Sequence, residues 1–294
     1  MHALSLPLPP QYRAGDVLAF HARDAEGLAE QVGEARVRKA VLLDGVPVLF
    51  DLRLGSTEVA CRIEADGELG TTAAGLAQEA LRSILALRID PAPFAAFVRE
   101  DAVFAPLVQR QPGLRIVQSA TVFEALTWAI IGQQINLPFA ISLRRTFIEQ
   151  AGRRHGSGLW CYPEAGDVAR LDLQTLTSRK FSRAKAETLL RVARLVAEGE
   201  LVLRQDDDPE RAGAALLAIK GIGPWTVNYT LLRGYGYADC SLHGDVAVRS
   251  AIGRLLGLEQ KPGIGEAQAW LEAYRPHRTM AAAYLWASLN QPAG

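Results

Sequence analysis

Apolar positions in this chain follow a strand-like pattern over residues 38–64 and a helical one over most of what comes after. Val41-Leu42-Leu43 runs into Asp44-Gly45, a pair favoured in two-residue hairpin turns. Val46 to Leu54 is again apolar, Gly55-Ser56 turns, and Val59 to Ile63 alternates. Pro47 within the second run points to an edge strand or a bulge. Leu76, Ala80, Ile84 and Leu87 then recur at helical spacing across 72–87. The first 90 residues therefore predict a mixed α/β unit with a small antiparallel sheet.

Pro91, Pro93, Pro106 and Pro112 punctuate the next stretch, and helices follow. Thr121-Val122-Phe123-Glu124 is a capping box that opens an apolar helix to about Gly132. A second helix is predicted from Leu137 to Gln150, and 153–158 reads as a loop. Ser182 to Glu198 is amphipathic, with Ala186, Leu189, Leu190, Ala193 and Val196 on one face. Asp208-Pro209-Glu210 starts another helix, with Asp as N-cap and Pro at the first helical position.

With 294 residues, 49% of them hydrophobic and 22% charged, the chain can bury one large core or two to three small ones. No apolar run approaches the ~18 residues of a membrane span, and the start lacks a basic segment followed by a long apolar one. Cys61, Cys161 and Cys240 are scattered, and no CxxC or HExxH spacing occurs. We expect no disulfide framework, no zinc site and a reducing, cytoplasmic setting. The net charge of zero lacks the basic excess usual for nucleic-acid binding. Locally, Arg179, Lys180, Arg183, Lys185, Arg191 and Arg194 face only Glu187 among acids between 174 and 194.

The most informative stretch is Leu216 to Tyr229, LLAIKGIGPWTVNY. A helix ends near Ile219, Gly221-Ile222-Gly223 turns, and Pro224 suits the first turn of a second helix. Glycines there permit unusual torsions and close approach, and the second helix offers free N–H groups and a positive dipole end. A DNA phosphate fits Lys220, Gly221, Ile222 and Gly223 in such a turn. Alone, a GxG of this kind would equally be a glycine cap between helices.

At these residues the sequence resembles the helix-hairpin-helix DNA glycosylases, and more closely the inducible bacterial 3-methyladenine-DNA glycosylase (AlkA) family. The resemblance includes Phe20-His21-Ala22-Arg23, Phe123-Glu124-Ala125, Ile130 to Gln134, Gly221 to Tyr229, Leu231 to Gly234 and Trp286. It implies an α+β, mostly helical fold. Residues 1–90 would form the mixed α/β domain and 116–235 a helical domain with the hairpin. A second helical domain, from 91–115 and 236–294, would carry the catalytic aspartate. That aspartate falls on Asp245, which spacing alone would read as an N-cap of the helix beginning at Val246. Asp239 also matches a family position, and a structural role is expected for it. His243 has no nucleophile partner in the sequence and is expected to be an ordinary surface or core histidine.

The resemblance further implies an aromatic base pocket of Trp225, Tyr229, Trp286 and Phe20. A cationic alkylated base over an aromatic face gains roughly 0.5–2 kcal/mol. Aromatics four apart on a helix, such as Trp225 and Tyr229, are otherwise core residues. A residue that fills the gap left by a flipped base would be Gln134, where the family often has leucine, or its neighbour Ile135. Arg183 and Lys185 are candidate DNA-backbone contacts, with a solvated basic face as the plainer alternative. Strand-cleaving relatives carry a lysine two residues after the second hairpin glycine; here Trp225 stands there, and no cysteine follows Cys240 for an iron–sulfur loop.

The expected function is hydrolytic removal of alkylated bases of the 3-methyladenine and 7-methylguanine type from duplex DNA by a monomer. No cofactor or catalytic metal is expected beyond a monovalent cation that such hairpins often hold. A non-catalytic hairpin module, an oxidised-base glycosylase with lyase activity and a structural protein without nucleic acid remain open on sequence grounds.

Overall fold

The computed structural model describes residues 2–289. Its N-terminal part is a five-stranded antiparallel sheet of β1 (His2–Pro7), β2 (Glu30–Val32), β3 (Arg36–Leu43), β4 (Val46–Leu54) and β5 (Glu58–Ala65), in the order β1-β5-β4-β3-β2. The sheet packs against α1 (Ala14–His21) and α2 (Thr71–Ile84). Val37, Val41, Val48, Phe50 and Leu52 face Val17, Ala77, Ala80, Leu81 and Ile84 in its core. The other face is covered at its centre, where Ala40, Leu42 and Leu49 meet Leu159 and Cys161. Burial on both faces is why β3 and β4 read as apolar runs rather than a clean alternation.

Two sequence expectations change here. Leu76 lies on the outer side of α2, 41% exposed. Pro47 sits in the most central strand, β4, and not at an edge. It is tolerated because Val48 is the first β4 residue paired with β5, so Pro47 needs no ladder N–H. Its carbonyl accepts Asp66 N at 3.0 Å.

The helical part comprises α3 (Ala92–Phe97), α4 (Phe104–Arg110), α5 (Val122–Gly132), α6 (Leu137–Ala151), then a short hairpin β6 (Arg153–Arg154) and β7 (Trp160–Cys161) where a loop is predicted. After it come α7 (Ala165–Ala169), α8 (Leu173–Thr177), α9 (Arg183–Ala197), α10 (Pro209–Leu217) and α11 (Pro224–Thr230). A π-helical stretch, Leu231–Tyr235, extends α11 without a break. The chain ends in α12 (Val246–Leu255), α13 (Ile264–Glu272) and α14 (Arg278–Leu289).

Caps set most of these boundaries. Asn136, Ser182 and Asp208 each accept the N–H three residues on. Thr121 accepts Glu124 N, but the Glu124 carboxylate bonds Ala120 N instead of closing the box on Thr121. Glu124 is diverted because its other oxygen enters a buried charge cluster.

That cluster joins the sheet to the helices. Lys39 of β3 donates to Glu30 of β2 and, at 2.7 Å, to Glu124 of α5. Arg144 of α6 bonds both carboxylates at 3.0–3.1 Å. All four side chains are buried, so the two positive and two negative charges compensate each other out of water.

Helices α3 and α4 pack with the C-terminal helices. Phe94 stacks on Tyr284 at 5.5 Å, and Phe104 meets Tyr274 edge-on at 4.6 Å. Helix α5 is buried from Val122 to Ile131 and runs through the middle. Gly234 lets the π-helical stretch touch it: a Cβ there would lie 3.2 Å from Val122 Cα. One continuous core connects both helical groups, and the cleft lies between them.

Candidate active site

The loop between the π-helical stretch and α12 is pinned before it delivers Asp245. Asp239 takes a fork from Arg278, with Nε at 2.7 Å and Nη2 at 2.9 Å. Thr279 Oγ1 accepts Cys240 N and donates to the Tyr237 carbonyl. The expected structural role of Asp239 is thus visible as a clamp on α14. His243 bonds Ser241 Oγ and is not among the cleft-lining residues.

Asp245 is the N-cap of α12, its Oδ1 accepting Val248 N at 3.0 Å. Two indoles also reach it: Trp225 Nε1 donates to Oδ2 at 3.0 Å and Trp286 Nε1 to Oδ1 at 3.2 Å. The cap reading and the site reading of this residue therefore coincide. Three N–H donors hold one carboxylate rigidly at the wall of a cleft of about 1000 Å³.

Trp225 and Tyr229 stack at 5.1 Å along one face of α11, and Trp286 lies 6.5 Å from Tyr229. Trp128 of α5 completes this wall and donates Nε1 to Tyr229 Oη at 3.2 Å. Phe20 is not part of the lining. It sits behind, in a second cavity of about 440 Å³ that shares Arg233 and Trp286 with the cleft. Two guanidiniums separate it from the front: Arg23 lies 3.5 Å and Arg233 4.9 Å from its ring centroid.

Trp128, Arg23 and Arg233 line the cleft and were not expected as site residues from the sequence. Arg23 and Arg233 did fall inside the family-like runs Phe20–Arg23 and Leu231–Gly234, which was the available signal. Burial pulls the Arg23 guanidinium down to about 10, Tyr229 opposing this and Arg233 adding to it. Burial alone would raise the Tyr229 phenol, but Arg233 and Arg23 outweigh it and its pKa falls. The aromatic cage is thus cationic on one side.

The hairpin glycines differ from one another. Gly221 has φ +98°, and a Cβ there would lie 2.2 Å from Thr188 Oγ1. Gly223 has ordinary extended torsions, φ −106° and ψ 175°, so of the two only Gly221 uses the torsional freedom that glycine permits. Nothing lies within 4 Å of a Cβ at Gly223, so its smallness leaves the first-turn N–H groups of α11 open to a ligand. Lys220 and Gly221 are exposed, whereas the Ile222 side chain is in the core at 6% exposure. Gly221→Ala is expected to cost about 1–3 kcal/mol through the strained backbone, measurable by urea unfolding. Gly223→Ala should unfold like the parent yet bind duplex DNA at least tenfold more weakly by fluorescence anisotropy.

Helices α5 and α6 are joined by a tight turn. Gln134 is exposed at its tip with φ +57°, while Ile135 is turned to pack on the core. Leu137, which the sequence reading passed over, stands beside them 51% exposed. Gln133 bridges this turn to the hairpin, its Nε2 donating to Gly221 O at 3.0 Å and Thr226 Oγ1 at 2.9 Å.

Lys185 corrects an expectation. It is only 8% exposed, and its Nζ donates to the carbonyls of Ile131 and Gln133 at 2.7 and 2.8 Å. Burial lowers its pKa. It caps the C-terminus of α5 and is not a free surface cation. Arg183 is exposed and pairs with Glu187 one helical turn on.

The three cysteines are free and buried. No helix among the described residues is long and apolar enough to cross a membrane, and none of those residues forms a cluster fit to hold a metal.

A helical hairpin beside a cleft that presents one held aspartate defines a class of DNA-base-excising folds. A sequence profile described as HhH-GPD superfamily base excision DNA repair protein matches residues 127–276. The chain belongs to that superfamily. It is 33% identical over 202 residues to a DNA-3-methyladenine glycosylase of Bacillus subtilis, covering 67% of each chain. It is 34% identical over 189 residues to a putative DNA-3-methyladenine glycosylase of the same organism, covering 63% of this chain and 64% of that one. The chain thus spans about two thirds of the length of these relatives. The 3-methyladenine DNA-glycosylase of Archaeoglobus fulgidus superposes with a TM-score of 0.81 at 22% identity, covering 96% of this chain and 97% of that one. That likeness is one of fold.

Proposed function

We propose that this chain is a monofunctional DNA glycosylase that hydrolyses the N-glycosidic bond of alkylated purines in duplex DNA. The observation that carries the reading is the Asp245 carboxylate, held by the indoles of Trp225 and Trp286 at the wall of an aromatic cleft.

As the base departs, positive charge develops on the deoxyribose. A carboxylate already fixed in a low-dielectric cleft stabilises that charge without reorganising and can take a proton from the attacking water. Trp225, Tyr229, Trp286 and Trp128 offer faces and edges to a flipped base, where stacking contributes about 1–3 kcal/mol per base. This offsets the few kcal/mol that unstacking costs. Hairpin N–H groups around Gly221 and Gly223 would hold a phosphate and set the register of the duplex. A monovalent cation at the hairpin would have to share carbonyl oxygens that already accept Arg191, Gln133 and Ile222. Gln134, exposed at the tip of its turn, would fill the gap in the stack, with the exposed Leu137 three residues on as a second, apolar surface.

No lysine lines the cleft among the described residues, so no amine is placed to form a Schiff base. The protein, expected to act as a monomer, should release 3-methyladenine and 7-methylguanine from methylated duplex DNA, identified chromatographically. It should leave abasic sites and give no adduct on borohydride treatment. Intact glycosidic bonds after prolonged incubation, or a trapped covalent adduct, would overturn this function.

A further inference from the structure

The least expected feature of the cleft is its cationic side. Arg23 and Arg233 both line it, and no carboxylate lies within ion-pair distance of either among the described residues. Within the protein, Arg23 donates only through Nε, to the Phe20 carbonyl at 2.8 Å. Its two Nη groups have no acceptor among the described residues, and the residue is only partly buried, so these donors open onto the cleft. Arg233 gives Nη1 to the Val117 carbonyl and is otherwise spread over rings, 5.7 Å from the centroids of both Tyr229 and Trp286. Donors that face a cleft and are spent on no protein acceptor are available to whatever enters it, and a hydrogen bond to a charged donor contributes about 1.5–3 kcal/mol. The open cleft is where such a partner can sit.

A flipped base is the occupant supplied by the activity proposed above, on which this step rests. Idle N–H groups discriminate between bases by the polarity of the ring substituent they meet. A carbonyl accepts from them, and an exocyclic amino group presents donor to donor. We propose that Arg23 is a specificity-determining residue of this site, binding the departing base through a ring carbonyl and so favouring 6-oxopurines over 6-aminopurines. In the reaction the N9–C1′ bond breaks and its electron pair passes to the purine. The water oxygen forms the new bond to C1′, and its proton goes to the Asp245 carboxylate. Density gained by a 6-oxopurine is shared with its carbonyl oxygen, so the bond from Arg23 strengthens as the base leaves. Interactions that grow in the transition state accelerate the step rather than merely binding substrate. Arg233 supports this from behind by holding the far side of the ring cage positive.

Methylated duplex DNA contains both probes: 7-methylguanine, with a 6-carbonyl, and 3-methyladenine, with a 6-amino group. Both are cationic; they also differ in the methylated nitrogen and in guanine's 2-amino group, so the readout is the change in their rate ratio between parent and variant, where only the Arg23 contact is altered. Arg23→Met keeps the apolar stem and removes the donors. Single-turnover release of 7-methylguanine should fall about 30-fold, while release of 3-methyladenine should change less than threefold. Arg23→Lys, retaining charge but not the planar fork, should reduce the ratio of the two rates by a smaller factor. Equal losses for both bases, or an unchanged ratio in both variants, would overturn the proposal and leave Arg23 a structural residue. If Arg23→Met melts early, the ratio in Arg23→Lys decides the matter. Should the parent protein release neither base, the function itself fails and not this assignment alone.

Discussion

Asp245→Asn should lower single-turnover base release by about 10²–10⁴-fold, the range for a positioned group that handles a proton. The substitution isolates the charge from the architecture. Asparagine caps a helix about as well as aspartate, so its carbonyl oxygen can still accept Val248 N and α12 should keep its start. What disappears is the negative charge facing the sugar and the site that takes the water proton. Its amide would also present N–H where Trp225 Nε1 now finds an acceptor. The expected signature is therefore a large fall in rate, an unfolding free energy within about 1 kcal/mol of the parent and undiminished affinity for duplex DNA. Asp245→Ala should be as inactive but also lose the cap, at about 0.5–2 kcal/mol. Undiminished excision by the asparagine variant would remove Asp245 from the chemistry.

The largest stability effect is expected at the buried charge cluster between the sheet and the helices. Lys39→Met leaves Glu30 and Glu124 buried with Arg144 as their remaining cation. Breaking a buried ion cluster by removing one partner costs about 3–5 kcal/mol, a large share of the stability of an ordinary domain. Adding Glu124→Gln should return part of the loss. The amide can still accept Ala120 N, and Arg144 then balances Glu30 alone. The pH dependence follows from the same contacts. Burial by itself would raise the Glu30 and Glu124 carboxyls, but Arg144 and Lys39 outweigh it and hold both below the usual range. Carboxyls depressed in the folded state stabilise it above their unfolded pKa, about 4.3. That contribution is lost as pH falls through the lower folded values. Acid unfolding of the parent should therefore begin below the ordinary carboxylate range, and that of Lys39→Met at higher pH. Urea titrations across pH 3–7 would show the shift; superimposable profiles would contradict it.

Features written in local chemistry were legible from the sequence. Thr121 and Asp208 announced helix starts because a cap needs only its next three residues. Asp44-Gly45 announced the β3–β4 hairpin, and Gly221 to Pro224 the turn before α11. Strands β1 and β2 and helix α1 were missed. Strand β1 is an edge strand whose side chains are mostly exposed, so it carries no inward-facing pattern, and β2 has three residues.

At the cleft, Asp245, Trp225, Tyr229 and Trp286 come together as the resemblance led us to expect, though Phe20 does not join them. The misreadings share a cause: each side chain's setting is decided by a segment far away in the chain. Lys185 looks like one of a row of surface cations until the carbonyl end of α5, some 50 residues earlier, is placed against it. Phe20 is covered by Arg23, three residues on, and the wall is completed only by Arg233, more than 200 residues later. Trp128 reads as one more apolar residue of a buried helix until Tyr229 meets its indole N–H.

The Gln133 bridge ties the α5–α6 turn to the hairpin. Because one side-chain amide bonds both the Gly221 carbonyl and the Thr226 hydroxyl, and Lys185 clamps the same turn, the hairpin and the Gln134 turn form one tied unit. A duplex seated on the hairpin would meet the tip at Gln134 with a constant offset along its axis. Each base step would then be pressed in the same way as the protein travels, and an ill-stacked pair would yield at that spot without any hinge or lid having to close first.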